Sequence, residues 1–411
     1  MRLLGWAAVM ALGAGQAPPP RTFTVDFSKD AGKTLPRTGF LGGLRDGIPD
    51  ATIEPLHPAL WRIGHQFRGR VAGGLPAAVD RVGKLGARYK LVMSDLIKSD
   101  HDDWPRYEAD VKKLVAETGD RAPKIIWEPV NEPDCSHKPI QKYYDLYAHA
   151  FKALREADPK LEICGPGFAF PSHDKYRQFL DFCRDAKVEC NYLAWHYTGW
   201  DPDAPERQKW DLGKLPDLVK LYPAQKVREI HCDEWGAGPQ KPGRLHPGRA
   251  VVWFHYLENV YKVDRACRAN WGKEDDYLGG IVDAQGGTHP VYHAYQLYAG
   301  IRQHPRVLCE GNDAAMACLA GKGPDRREAI LGSIAKGPQA VQVLFKGLGL
   351  APARPEVRLI PVDDLEGTMK ADGLLKLAEK DFEAKPEAGG LRLTLPEVKE
   401  NQLYHILLPA R

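Results

Sequence analysis

Two stretches of the chain place acidic groups where they could do chemistry. Lys124 to Asp134 reads KIIWEPVNEPD. Its first part, Lys124-Ile125-Ile126-Trp127, is a short apolar run that suits a buried strand. Pro129 and Pro133 then forbid regular pairing and force a loop. Glu128, Asn131, Glu132 and Asp134 are thereby delivered where a strand ends and a loop begins, and such groups are costly there unless they face an open mouth. The second stretch, Val227 to Gly236, reads VREIHCDEWG and has the same anatomy: a brief apolar strand closing on Asp233 and Glu234, then a Gly break. Two strands that each end in a glutamate supply what hydrolysis of a glycosidic bond needs. Glu132 and Glu234 are therefore the catalytic candidates. Glu128 is the rival proton donor and Asp233 the rival nucleophile. Alternate residues of a strand point inward, so only one of Asp233 and Glu234 is expected to face the mouth.

The elements that must position these groups alternate along the chain. Strand patterns appear at Phe40–Gly43, Ala59–His65, Tyr89–Asp95, Lys124–Trp127, Leu161–Gly165, Tyr192–Tyr197, Val227–Glu234 and Ala266–Trp271. Helical patterns fall between them at 76–88, 104–118, 139–156, 174–186, 212–221 and 247–263, with a last helix at 290–303. About eight such alternations make a (β/α)8 barrel, whose catalytic groups come from the C-terminal ends of strands. No GxGxxG follows any strand, which disfavours a doubly wound sheet. Glu132 then follows the fourth strand and Glu234 the seventh. Two inward carboxyls there can sit about 5–5.5 Å apart, the separation for a retaining double displacement. Arg62 and His65, near the end of the second strand, are candidate substrate-binding residues, with a buried polar pair beneath the barrel as the alternative. From about Val307 the pattern changes to short runs split by Gly, Pro and Asp, which reads as a β-sandwich. The expected organisation is a barrel over 21–304 and a sandwich over 305–411, which the strand at 22–27 can join.

The bulk properties name no macromolecular partner. The chain has 411 residues and a net charge of +3, with no dense Lys/Arg run, so neither nucleic acid nor a membrane surface is expected. Arg2, an apolar run from Leu3 to Gly15 and the prolines at 18–20 have the layout of a cleavable signal peptide over 1–20. The expected location is secreted or periplasmic. Eight cysteines fit an oxidising compartment. Cys309 with Cys318, or Cys183 with Cys190, are candidates for a bridge. No CxxC or HxxxH spacing supports a metal site, so neither a metal nor a cofactor is expected.

Asn131-Glu132-Pro133 after one barrel strand, with Glu234 after a later one, resembles the clan A retaining glycoside hydrolases. The Trp195-His196-Tyr197 strand, the C-terminal sandwich and the leader most resemble glycoside hydrolase family 39, the family of β-xylosidases and α-L-iduronidases. That resemblance implies a secreted retaining glycosidase, β-xylosidase-like, acting on an oligosaccharide, polysaccharide or glycoside. Glu132 matches its acid/base and Glu234 its nucleophile. Asn131 matches the residue that contacts the sugar 2-hydroxyl, and Arg62 the arginine that helps hold the nucleophile. His196 and Tyr197 match the active-site pair on the sixth strand, and Trp271 the aromatic platform after the eighth. The alternative from another class is a non-catalytic carbohydrate-binding protein on a degenerate barrel. It would require a lost carboxylate, and both are present.

Overall fold

The computed structural model describes residues 19–409, except 33–36, 66–69, 98–102, 198–211, 237–244, 270–277, 279, 284, 350–353, 364–368 and 370–372. Residues 1–18 of the expected leader, and Trp271, lie outside the described residues.

Eight parallel strands close into a barrel: β2 (Arg37–Leu41), β3 (Leu60–Ile63), β4 (Arg88–Val92), β5 (Ile125–Glu128), β6 (Glu162–Phe168), β7 (Tyr192–Tyr197), β8 (Glu229–Trp235) and β9 (Arg265–Arg268), with β9 returning to pair with β2. Helices of the outer ring include Trp104–Thr118, Ile140–Ala157, His173–Asp185 and Pro290–Ile301. Their starts carry local signals. The Asp103 carboxylate accepts the Arg106 N–H at 3.1 Å, and Ser172 Oγ accepts that of Lys175 at 3.3 Å. The helix expected over 247–263 is α only for Pro247–His255 and a π turn over Tyr256–Val260, which seats Glu258 against Arg302 at 2.6 Å.

The pleat sorts the barrel residues into two surfaces. Outward tryptophans fill the strand–helix layer; Trp195 meets Tyr261 edge-on at 5.2 Å, and Trp235 stacks on Tyr295 at 5.9 Å. Inside, Leu60, Ile126, Cys164, Tyr192, Ala194 and Cys267 form an apolar floor. Two residues further along their strands stand Arg62, Glu128 and His196, all buried, with Lys90, Asp233 and Glu234 beside them. The floor keeps water out from below. The charged layer above it can therefore pair only with itself or with what enters at the C-terminal mouth.

The sandwich consists of two five-stranded sheets. One has the order β10 (Val307–Glu310), β1 (Arg21–Asp30), β13 (Gln339–Lys346), β17 (Gly390–Val398), β16 (Glu383–Glu387). The other runs β11 (Met316–Lys322), β12 (Arg326–Ser333), β18 (Leu403–Pro409), β14 (Glu356–Ile360), β15 (Leu375–Lys376). The N-terminal strand thus lies within the C-terminal domain, parallel to β13 and antiparallel to β10. Phe23, Val25 and Phe27 enter its core with Val343, Phe345 and Ile406. The helix Pro247–His255 docks the sandwich on the barrel. Gly248 N–H donates to the Asn401 carbonyl at 3.0 Å, and a Cβ on Gly248 would stand 2.4 Å from the Ser333 carbonyl. All eight cysteines are free thiols, so neither candidate bridge is formed.

Candidate active site

Glu132 is placed by its backbone. After β5 the chain crosses to β6: Asn131 bridges to Gly167, and Glu132 N–H donates to the Gly167 carbonyl at 3.0 Å. Glu132 itself has a φ of +46°, in the left-handed region, before a single 3-10 turn over Pro133–Cys135. For a side chain with a Cβ this costs on the order of 1 kcal/mol. The result is a carboxylate turned toward β7, with Oε1 2.8 Å from His196 Nδ1.

Glu234 is placed by a bulge. The ladder between β7 and β8 pairs Trp195 with Cys232 and His196 with Glu234, so Asp233 is the extra residue. Strict alternation would send Glu234 outward whenever Asp233 points in. The bulge turns both inward, where strict alternation allowed only one, yet of the two only Glu234 stands toward the mouth. The two then divide the work. Asp233 is fully buried and takes both oxygens onto Lys90 Nζ, at 2.8 and 2.6 Å. Glu234 stands nearer the mouth, with Oε1 2.6 Å from Arg62 Nη1 and 3.6 Å from His196 Nδ1.

Arg62 is the hub of this layer. Its Nε and Nη2 fork onto the two oxygens of Glu128, each at 2.7 Å, while Nη2 also donates to Asn131 Oδ1 at 2.6 Å. Asp233 Oδ2 lies 3.7 Å from its Nε. Burial works against the guanidinium charge, but Glu128, Glu234 and Asp233 outweigh it, and Arg62 is held well above its usual range. In the same way burial would raise the Asp233 carboxyl, yet Lys90 and Arg62 hold it below the ordinary carboxylate range. Beneath them His231 is pushed down to about 4, first by burial and then by Lys90, so its imidazole is neutral at physiological pH.

The ligand atoms of Glu132, His196 and Glu234 all lie within 4.8 Å of one another. Among the described residues this is the cluster spaced to hold a metal ion. The Arg62 guanidinium already bonded to Glu234 opposes a second cation there by like-charge repulsion. Two carboxylates at that separation, one backed by arginine and one by histidine, suit an acid and a nucleophile on either side of one bond.

The other expected residues fall in different places. Asn131 sits in the cluster, held by Arg62. Glu128, the rival acid, is fully buried and clamped bidentately, so it serves as the counter-charge of Arg62. His65 is not in the cluster: its side chain is 63% exposed, with Nδ1 3.5 Å from Asp95. Tyr197 departs too. As the residue after inward-facing His196 it turns toward the helices, its ring 5.0 Å from that of Trp253. Lys90 and Gly167 were missed. A lone lysine inside the apolar run Tyr89–Met93 was the signal for a buried counter-charge.

Gly167 leaves no such trace, yet a Cβ there would stand 2.5 Å from His196 Nε2 and 3.2 Å from Glu128 Oε1. His196 is buried between Glu132 and this glycine. The Gly167→Ala variant is therefore expected to push His196 off Glu132 and lower kcat/KM by about 10²-fold. Steady-state kinetics with a parallel melting curve check this. Wild-type kcat/KM at an unchanged Tm would show that the imidazole does not position Glu132.

Residues 109–237 match the family model described as glycosyl hydrolases family 39. That segment contains Asn131, Glu132, His196 and Glu234. No curated protein matches. Among solved structures, N2152 from Neocallimastix frontalis is similar with a TM-score of 0.76 at 17% identity, covering 95% of this chain and 99% of that one. The GH39 enzyme from Xanthomonas axonopodis pv. citri is similar with a TM-score of 0.66 at 14% identity, covering 98% and 99%. A GH39 β-xylosidase from Caulobacter crescentus gives 0.63 at 15%, covering 94% and 99%. At these identities the likeness shows the fold. Together with the family match over the carboxylate-bearing segment, it supports a glycosidase.

Proposed function

We propose that the protein is a retaining glycoside hydrolase in which Glu234 is the nucleophile and Glu132 the acid/base. The observation that carries this is the pair of carboxylates within 4.8 Å at the mouth, with Arg62 on Glu234 and His196 on Glu132. In the first step a Glu234 oxygen attacks the anomeric carbon. The bond to the leaving oxygen breaks, and the Glu132 proton goes to that oxygen. In the second step Glu132, now ionised, takes a proton from water, whose oxygen displaces Glu234 and restores the starting configuration. Arg62 donates to Glu234 and fixes it before attack. It also holds Asn131 by its carbonyl oxygen, so the amide NH2 is the end that donates to the sugar 2-hydroxyl.

β-Xylosides are the first substrates to test, because the Caulobacter crescentus neighbour is named a β-xylosidase. Export of the protein is proposed with this, resting on the leader-like layout of Arg2 and Leu3–Gly15. The test is a panel of aryl glycosides (xyloside, glucoside, galactoside and uronide) followed by NMR of the first sugar released. One member is expected to be cleaved with its anomeric configuration kept. An inverted first product, or no cleavage of any member, would overturn the reading.

A further inference from the structure

The described residues leave three large apolar side chains well exposed: Phe170, Leu221 and Leu375. Leu221 follows the helix Leu215–Lys220 on the approach to β8, at the N-terminal side of the barrel, and Leu375 lies in the sandwich. Phe170 alone of the three stands at the mouth, two residues past the end of β6 and 67% exposed. An exposed aromatic ring at a sugar-processing mouth has an obvious use, since the C–H face of a pyranose is apolar and stacks on aromatic faces.

The backbone around Phe170 is pinned although its ring is exposed. The Asp134 carboxylate accepts the N–H of Ala169 and of Phe170, each at 2.9 Å, and a bond from Lys175 Nζ at 2.7 Å. Lys175 also donates to the Phe170 carbonyl at 2.7 Å. Asp134 belongs to the loop of Glu132, where Cys135 N–H donates to the Glu132 carbonyl and Glu132 N–H to Gly167 on β6. The acid and the ring are thus parts of one locked assembly made from the ends of β5 and β6. A general acid stands on the side where the leaving group departs, and the segment that carries Phe170 is tied through Asp134 to the loop of that acid.

We propose that Phe170 is the stacking platform of the leaving-group subsite, taking the sugar or aryl ring that Glu132 protonates. This rests on the glycosidase reading above. A platform on this side favours substrates with a ring as leaving group over those with a bare small one, because only a ring gains the stacked contact. Because Asp134 and Lys175 hold the backbone of Phe170 in place, covering the ring costs no backbone ordering there.

The test compares two substrates of the same glycon, a disaccharide and the glycosyl fluoride, whose leaving group has no face to stack. For Phe170→Ala the ratio of kcat/KM on the disaccharide to that on the fluoride is expected to fall roughly ten-fold, and Phe170→Tyr to restore it. The residue is exposed, so the Tm of both variants should stay near wild type and show that the fold is intact. A ratio unchanged in Phe170→Ala, or a loss not recovered by tyrosine, overturns the subsite. Wild-type enzyme inert on both substrates overturns the glycosidase reading itself, a result that no behaviour of the variants can mimic.

Discussion

Turnover by the Glu234→Ala variant is expected to fall by at least about 10⁴-fold, and added azide to restore a product of inverted configuration. Without Glu234 no glycosyl-enzyme forms, and the truncated side chain leaves space next to Arg62 Nη1 that a small anion can fill. Azide there attacks the anomeric carbon once, with Glu132 still protonating the departing oxygen, so configuration inverts. The Glu132→Ala variant should behave oppositely. A substrate with an activated aryl leaving group still esterifies Glu234, because it departs with little help from an acid. The ester then waits for a base that is missing. Azide needs no base, displaces Glu234 and gives a product of retained configuration. Each variant should still fold, since Arg62 keeps Glu128 and Asn131 when Glu234 is lost. Product NMR from both azide reactions decides the matter. The same anomer from both variants would show that the two glutamates do not have the two roles assigned here.

The positions of Glu132 and Glu234 were legible because strand ends, prolines and glutamates are local signals. Pro129 and Pro133 forced the loop, and the alternation of apolar strand and amphipathic helix fixed which end of the barrel that loop occupies. Arg62 was legible as a polar residue near the end of the second strand, and it stands two residues beyond floor residue Leu60. The sequence was misleading where the pleat is broken. Asp233 and Glu234 cannot both face inward on an ideal strand, and no residue between Ile230 and Trp235 announces the bulge that lets them. Tyr197 was grouped with His196 as if neighbours shared a face; it packs on Trp253 instead. His65 lies two residues past the end of β3, where the pleat no longer dictates direction, and is exposed beside Asp95. Gly167 matters through the room it leaves for His196, and a missing side chain carries no pattern to read.

Arg62 is where the largest loss of stability is expected. Its side chain is only 1% exposed, and Glu128, Glu234 and Asp233 converge on it. Lys90 is the other buried cation of the layer, and it is bonded to Asp233. The Arg62→Met variant keeps volume but leaves Glu128 buried without the fork that satisfied both its oxygens. Breaking a buried pair by removing one partner costs about 3–5 kcal/mol, which for a domain of this size lowers Tm by roughly 6 °C. Activity should vanish in the same variant, but instability alone could explain that, so a second change separates the two effects. Adding Glu128→Gln removes the stranded charge and is expected to recover several degrees of Tm, as the amide no longer carries a net charge into a dry interior. It does nothing for Glu234, which still lacks the donor that holds it aimed. The double variant should therefore be more stable than Arg62→Met and equally inactive, as melting curves and aryl-glycoside kinetics can show. Recovery of activity along with stability would mean that Arg62 serves the fold alone and that Glu234 needs no partner to act.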